Sequence, residues 1–347
     1  MRSFRRIMVL TGDHGLPDTS KRDARYNAED MATHDAMMRA FAGLPGYEFS
    51  FLADHASLRE RIESDAPDLV VNFCDTGLRN VAAYELHVPA YLELLGIPYT
   101  GAPPAAMAIC YDKAIVRLVA REAGVAVPAE VFIARDAPAD TLPDIYPALI
   151  KPNTADGSVG ITKHAVVRDG AAARAYLAWL RRTLPGQDAL MQEYLPGPEY
   201  GVGLIGNPEG TLTVLPPLEV DFSRLPAGLD PILSFESKAH PESPYWTDIK
   251  FKRAAIEPPV EAEMANAAET LFRRLGLRDY ARFDFRCAAD GTVRLMEANP
   301  NPAWANDGKL AFMAGFAGIA YPDMLRMILE AAIARIRASD ARDSPPV

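Results

Sequence analysis

Four residues near the end of the chain have the types and spacing to handle phosphate and a hard cation: Arg282-x-Asp284 and Glu297-x-Asn299. They lie on two alternating runs, 280–286 and 293–299, with Asp290-Gly291 between them. Asp-Gly between such runs is a strong signal for a two-residue hairpin turn. With Asp290 and Gly291 at the centre of the turn, Asp284 faces Glu297 and Arg282 faces Asn299, all on one side of the ribbon. Two carboxylates directly opposite each other repel unless something neutralises them. Two carboxylates and an amide oxygen are hard donors suited to Mg²⁺, and a neighbouring guanidinium suits phosphate or a developing oxyanion. The same spacing also fits a hairpin with a solvated charged face. A longer turn would shift the register and break the pairing.

A second candidate is the loop 151–161, Lys-Pro-Asn-Thr-Ala-Asp-Gly-Ser-Val-Gly-Ile, which follows a short apolar run. Its glycines let backbone N–H groups approach phosphate oxygens, and Ser158 adds a hydroxyl. It is neither a Walker A loop nor GxGxxG, and it also reads as a plain turn. Lys151, ending the apolar run, either points at an anion or bears a cost of burial. The stretch from Gln192 to Glu199 runs into a Pro/Gly-bent linker. Such a linker can clamp a planar base with backbone groups while a carboxylate holds a ribose, or it can simply join two strands.

The elements that position these residues follow from the apolar pattern. Residues 7–10 and 69–73 are short apolar runs ending in polar residues, each followed by a helical stretch (32–41 and 85–95). This is the pattern of a parallel βαβ unit, in which ligands gather beyond the carboxyl ends of the strands. Asp13, His14 and Asp75 fall there. A turn-rich stretch at 96–101 marks one boundary, and the chain beyond Gly124 is strand-rich. The division is 1–96, 97–188, 189–337 and a flexible tail, 338–347. With 347 residues, 49% of them hydrophobic, there is material for two or three domains. A net charge of −10 argues against nucleic acid and anionic membrane as partners. No apolar run reaches a bilayer-spanning length, and residues 7–10 are too short for a signal-peptide core. Three cysteines without CxxC spacing point to a reducing, cytoplasmic compartment.

The ordered set formed by 96–101, Asp112-Lys113, the 151–161 loop, 193–199, Arg282-x-Asp284 and Glu297-x-Asn299 resembles the ATP-grasp superfamily, and most of all the D-alanine–D-alanine ligases. The resemblance covers about 95–335. It implies an α/β, ATP-grasp fold of three α/β domains with ATP between the central and C-terminal domains. By the same resemblance, Lys113 and Lys151 bind phosphates, Gln192, Glu193 and Leu195 line the adenine pocket, and Glu199 holds the ribose. Lys238 is the mobile-loop lysine over the γ-phosphate. Asp284, Glu297 and Asn299 hold two Mg²⁺, with Mn²⁺ as a substitute. Arg282 and Ser158 complete the catalytic set. A homodimer is the assembly the resemblance suggests.

The chain also departs from that family. Thr11-Gly12-Asp13-His14-Gly15 replaces the family's opening Gly-Gly-x-Ser-x-Glu, and Asn72-Phe73-Cys74-Asp75 replaces its His-Gly. Ser158 is the single survivor of paired loop serines, Ala239 stands where the family has tyrosine, and Ala303, Gly308 and Lys309 alter the closing motifs. The expectation is a ligase that joins a carboxylate, such as an amino acid, to an amine through an acyl phosphate, releasing ADP and phosphate. Asp13, Asp75 and Lys309 are the substrate-contacting candidates. Two alternatives stand beside it: a genuine D-alanine–D-alanine ligase with divergent pockets, and an ATP-binding regulatory protein without turnover.

Overall fold

A computed structural model describes residues 3–19, 21–138 and 142–343. The chain passes through three sheets in sequence. The first unit holds β1 (Arg6–Thr11), α1 (Ala28–Ala42), β2 (Glu48–Leu52), α2 (Leu58–Asp65), β3 (Leu69–Phe73) and α3 (His87–Leu94). β1 lies between β2 and β3, parallel to both. β3 is buried along its whole length, as a parallel strand covered on both faces must be. α1 opens on a capping box: the Asn27 side chain accepts from the Glu29 and Asp30 amides, and Asp30 accepts from the Asn27 amide.

Two helices, α4 (Pro104–Tyr111) and α5 (Lys113–Glu122), lead to the second sheet. This comprises β4 (Glu130–Ile133), β5 (Ala148–Pro152), β6 (Val166–Val167) and β7 (Ala189–Glu193), with α6 (Gly170–Thr183) before β7. The strand order is β4-β7-β5-β6. β7 pairs with β4 and β5, so Ala189–Glu193 belongs to this sheet and lies on the other side of the division expected at 188. The backbone bonds between Lys151 and Leu190 and their neighbours set that membership, and the chain leaves for the third sheet only at 194–198.

The third unit contains β8 (Glu199–Gly206), β9 (Leu212–Val214), β10 (Leu218–Asp221), α7 (Glu236–Ala239), α8 (Pro244–Thr247), β11 (Lys250–Arg253), α9 (Pro258–Arg274), β12 (Asp279–Cys287), β13 (Val293–Asn299), α10 (Lys309–Phe316) and α11 (Tyr321–Asp343). The main strand order is β11-β10-β8-β12-β13. Met107, Cys110, Val116 and Ala120 of α4 and α5 share a core with Val202, Leu204, Phe272 and Phe283. Those two helices therefore pack on the third sheet. α11 continues through 338–343, which were expected to be a flexible tail. Ala338, Ala341 and Arg342 are good helix formers and extend it; 344–347 lie outside the described residues. No single helix among the described residues is long and apolar enough to cross a membrane.

The β12–β13 hairpin places Arg282 opposite Asn299 and Asp284 opposite Glu297. It reaches that register by a different route from the expected two-residue turn. The Ala288 amide bonds to the Thr292 carbonyl, leaving a three-residue loop closed by Gly291 at φ +83°. The strands then run one residue out of the expected register, with Phe285 opposite Leu295, until a β-bulge beside Asp284 absorbs Met296 and restores it.

One buried ion pair ties the last helix to this framework. Asp279, fully buried, accepts from Arg335 Nε and Nη2 at 2.9 and 2.8 Å and from the Gly101 amide at 2.9 Å. Arg335 also donates to the Tyr99 carbonyl at 2.9 Å. Breaking a buried pair from one side leaves the other charge uncompensated. Arg335→Ala should therefore cost about 3–5 kcal/mol of stability in urea unfolding. A loss below about 1 kcal/mol would show that the pair holds nothing together.

Candidate active site

A cavity of about 420 Å³ lies between the 151–161 loop and the face of the third sheet that carries the hairpin. Lys113, Lys151, Glu199, Lys238, Arg282, Asp284, Glu297, Asn299 and Lys309 all line it, beside an apolar set that includes Leu149, Ile232, Met296, Ile249 and Phe251. A site with one oily wall and one densely charged wall suits a ligand with a planar base and a polyanionic tail.

The charged wall is built outward from the facing carboxylates. Arg282 Nε and Nη2 donate to the two Asp284 oxygens at 2.9 and 3.0 Å, a forked pair. Lys309 Nζ stands 3.8 Å from Asp284 Oδ1. Burial pushes the Asp284 carboxyl up, but Arg282 and Lys309 outweigh it and hold the group well below the usual carboxylate range. Glu297 is paired with Lys113 Nζ at 2.9 Å. Burial and Asp284 raise its pKa, yet Lys113 and Lys151 bring it below normal. The repulsion expected between the acids is thus met by a ring of cations. Lys309 and Lys113 each occupy the first position of a helix, where the macrodipole disfavours a positive charge. Their placement is explained by the acids and by the cavity, not by helix stability.

Asn299 donates from Nδ2 to the Arg282 carbonyl and to Asp284 Oδ2, at 3.3 and 3.2 Å, which leaves its Oδ1 turned to other partners. Asp284, Glu297 and Asn299 thus offer three hard oxygen donors on one face, a set that fits Mg²⁺. Among the described residues there is no cluster of three or more His, Cys, Asp or Glu side chains that could hold a metal. The amide oxygen and ligand oxygens would have to complete the shell.

The roof is formed by two segments sewn together. Ser158 Oγ donates to the Leu233 carbonyl at 2.9 Å, and the Phe235 amide donates to the Ile161 carbonyl at 2.7 Å. The Lys163 amide donates to Glu236. Ser158, expected to offer its hydroxyl to a phosphate, spends that proton on the roof. Ser158 and Gly157 adopt φ +63° and +65°, turning the loop sharply over the cavity. Lys238 follows on α7, and burial lowers its pKa. Lys113 Nζ also donates to the Ala155 carbonyl at 2.6 Å, joining loop to hairpin. Lys151 is deeply buried; burial and the nearby Arg117 push its pKa down, against the pull of Glu297 and Glu130.

The remaining candidates scatter. Gln192, Glu193 and Leu195 do not line the cavity. The Gln192 side chain is fully buried behind it, accepting from Arg117 at 3.1 Å and donating to Met296 Sδ at 3.3 Å. Glu193 pairs with Arg294 at 2.7 Å. Asp13 does not face a ligand: its carboxylate oxygens accept from the Gly15 and His55 amides at 2.9 and 3.0 Å, so it braces the loop after β1. Asp75 does line a cavity, a second and smaller one.

Three residues that sequence reasoning passed over organise the first cavity. Arg117, almost wholly buried, pairs with Glu130 at 2.5 Å and holds both Gln192 and the Met296 carbonyl. Arg286 pairs with Glu199 at 3.2 Å and donates to the Pro231 carbonyl. Met296, the bulge residue, is the apolar wall beside Glu297. An arginine two residues beyond Asp284 on the same strand face was the one available signal.

This fold and site define an ATP-grasp protein. In a solved structure, the D-alanine–D-alanine ligase from Bacillus anthracis complexed with ATP, 99% of the chain is matched by 97% of this one, with a TM-score of 0.71 at 21% identity. The family model "D-ala D-ala ligase C-terminus" matches residues 138–330. An uncharacterized protein of Sinorhizobium fredii, y4sG, is 32% identical over 257 residues, 71% of this chain and 69% of that one. A D-alanine–D-alanine ligase of Bordetella petrii is 29% identical over 73% of each chain. The chain belongs to the D-alanine–D-alanine ligase family.

The electrostatics set a pH signature. Asp284 has a depressed folded pKa, so its contribution to stability is complete above the unfolded carboxylate range and is lost as pH falls below about 4. Arg282→Leu removes the main counter-charge. The Asp284 carboxyl, followed by ¹³C NMR, should then titrate at higher pH than in the parent, and acid unfolding should lose that component. An unmoved titration would mean that Arg282 is not what holds the charge.

Proposed function

We propose that the chain is an ATP- and divalent-metal-dependent carboxylate–amine ligase that activates a carboxylate as its acyl phosphate. The observation that carries this reading is the pair of ionised carboxylates, Asp284 and Glu297, facing each other inside a ring of cations on the wall of the larger cavity. A protein interior assembles such an array for a polyanion and its counter-ion. Asp284, Glu297 and Asn299 would hold Mg²⁺, which when bound neutralises charge on the transferring phosphoryl group.

The chain's own residues supply the rest. Lys113 and Lys151 bind nucleotide phosphates, and Glu199, steadied by Arg286, takes the ribose. The base sits against Met296 and Leu149, with Gln192, held by Arg117, behind that wall. Lys238 covers the γ-phosphate from the roof. The substrate carboxylate attacks that phosphorus and ADP leaves. An amine then attacks the acyl carbon, and phosphate departs from the tetrahedral intermediate. Arg282 stabilises the phosphoryl group and then the oxyanion, a kind of contact worth about 3 kcal/mol. The stitched roof keeps water from the acyl phosphate. Lys309, already drawn to Asp284, serves phosphate transfer more directly than it serves a distant carboxylate.

We further propose two bound ions, with Mn²⁺ able to replace Mg²⁺, and small-molecule substrates without nucleic acid or membrane partners, in keeping with the net charge of −10. A cytoplasmic homodimer completes the reading; the three buried free cysteines suit a reducing compartment.

The test is phosphate release from ATP and Mg²⁺ with pooled amino acids as carboxylates and amines. Release should depend on both substrates. Asp284→Ala and Glu297→Ala should each lower it by about 10²-fold or more with the fold intact by circular dichroism. Absence of amine-dependent release in every pool, or full turnover in both variants, would overturn the reading.

A further inference from the structure

A second cavity of about 250 Å³ adjoins the first and shares Lys238, Trp246, Ala303 and Asp307 with it. Part of its wall is a run of rings. Tyr26 and His14 have centroids 4.7 Å apart, His14 and His34 4.3 Å, and His34 and Trp304 6.3 Å.

These rings are fixed in place. Trp304 Nε1 donates to the Phe73 carbonyl at 2.8 Å, and its indole stacks within 10° of the Phe73 ring. His34 Nε2 lies 3.3 Å from Thr11 Oγ1. His34 is more than nine-tenths buried, and its Nδ1 has no hydrogen-bond partner among the described residues. Burial and the neighbouring His14 lower its pKa to about 4, so the ring is neutral. Space in the chamber depends on Gly12, since a Cβ there would run into Tyr26 Oη and Thr76 Oγ1. The lining also holds Asp75, whose carboxylate has no side-chain ion-pair partner among the described residues, and Lys21, which is committed to Asp30 at 3.0 Å.

We infer that this chamber takes an α-amino acid with a planar ring side chain, laid on the Tyr26–His14–His34–Trp304 wall, its ammonium at Asp75 and its carboxylate towards Lys238. Rings in tilted or offset contact with other rings gain more than the area they bury accounts for, and neutral imidazoles provide that contact without repelling a ligand. A lysine side chain brings no ring to that wall and gains none of this contact. The fate of the carboxylate rests on the ligase reading; the choice of side chain does not.

The experiment separates the two. The full chain, with Mg²⁺ and a non-hydrolysable ATP analogue, is titrated calorimetrically with both enantiomers of phenylalanine, tyrosine, histidine, alanine and lysine. At least one ring-bearing acid should bind about tenfold or more tighter than alanine or lysine of the same hand. Trp304→Ala should reduce that preference to about threefold or less, and Asp75→Asn should weaken every α-amino acid alike. If Trp304→Ala does not fold, Trp304→Leu replaces it with the same expectation. Alanine or lysine binding as well as the ring-bearing acids, no amino acid binding at all, or a preference that survives loss of the indole would overturn the inference. Ring-acid binding here, with no phosphate release when the same acid is supplied with ATP, Mg²⁺ and pooled amines, would instead overturn the ligase reading. Release driven by alanine without ring preference would leave the ligase standing and the chamber assignment refuted.

Discussion

Two ionised carboxylates stand side by side in the interior of this protein, and most of the site exists to make that tolerable. Asp284 and Glu297 face each other across one hairpin, and neither could keep its charge alone at that depth. Arg282 and Lys309 compensate the first, Lys113 and Lys151 the second. Each cation comes from a different place: β12 itself, the start of α10, the start of α5 and the end of β5. A local electrostatic requirement thus fixes how three remote segments approach the third sheet. It also explains two lysines at helix N-termini, where propensity would not put them.

The same requirement shapes the cavity. Lys113 reaches both Glu297 and the Ala155 carbonyl, so the glycine loop is drawn down on the hairpin. Ser158 and Phe235 then fasten that loop to the segment carrying Lys238. Behind the cavity, Arg117 holds Gln192 and the Met296 carbonyl, and in its wall Arg286 holds Glu199. Buried networks of this kind are costly when incomplete and rigid when complete. At the other side of the shared wall, the rings around His34 and Trp304 give the second chamber a character that the ligase family name alone does not convey.

Much of this was legible in the chain and some was not, for identifiable reasons. The parallel opening unit followed from apolar runs ending in polar residues. The pairing of Asp284 with Glu297 was read from Asp290-Gly291 between alternating strands, and it holds although the two-residue turn assumed for it gives way to a three-residue loop and a bulge. β2 and α2 were not read, because Glu48–Leu52 and Leu58–Asp65 are short and mixed in polarity. α4 was not read, because Pro104–Tyr111 is short and follows directly on the turn-rich stretch at 96–101. Arg117, Arg286 and Arg294 escaped because their partners Glu130, Glu199 and Glu193 are distant in sequence, and nothing local marks such a pair. Asp13 stood where a ligand group would stand, yet backbone amides of Gly15 and His55 use up its oxygens. The bulge at Met296 left no trace, since a bulge is decided by the partner strand and not by composition.

That bulge has an evolutionary corollary. The three loop residues and Met296 are all left out of the ladder, which pairs Ala288 with Thr292 and Phe285 with Leu295 on either side of them. The loop can therefore lose a residue, or β13 can lose Met296, and Asp284 still meets Glu297. The length of this hairpin is freer to drift in descendants than the two acids it carries.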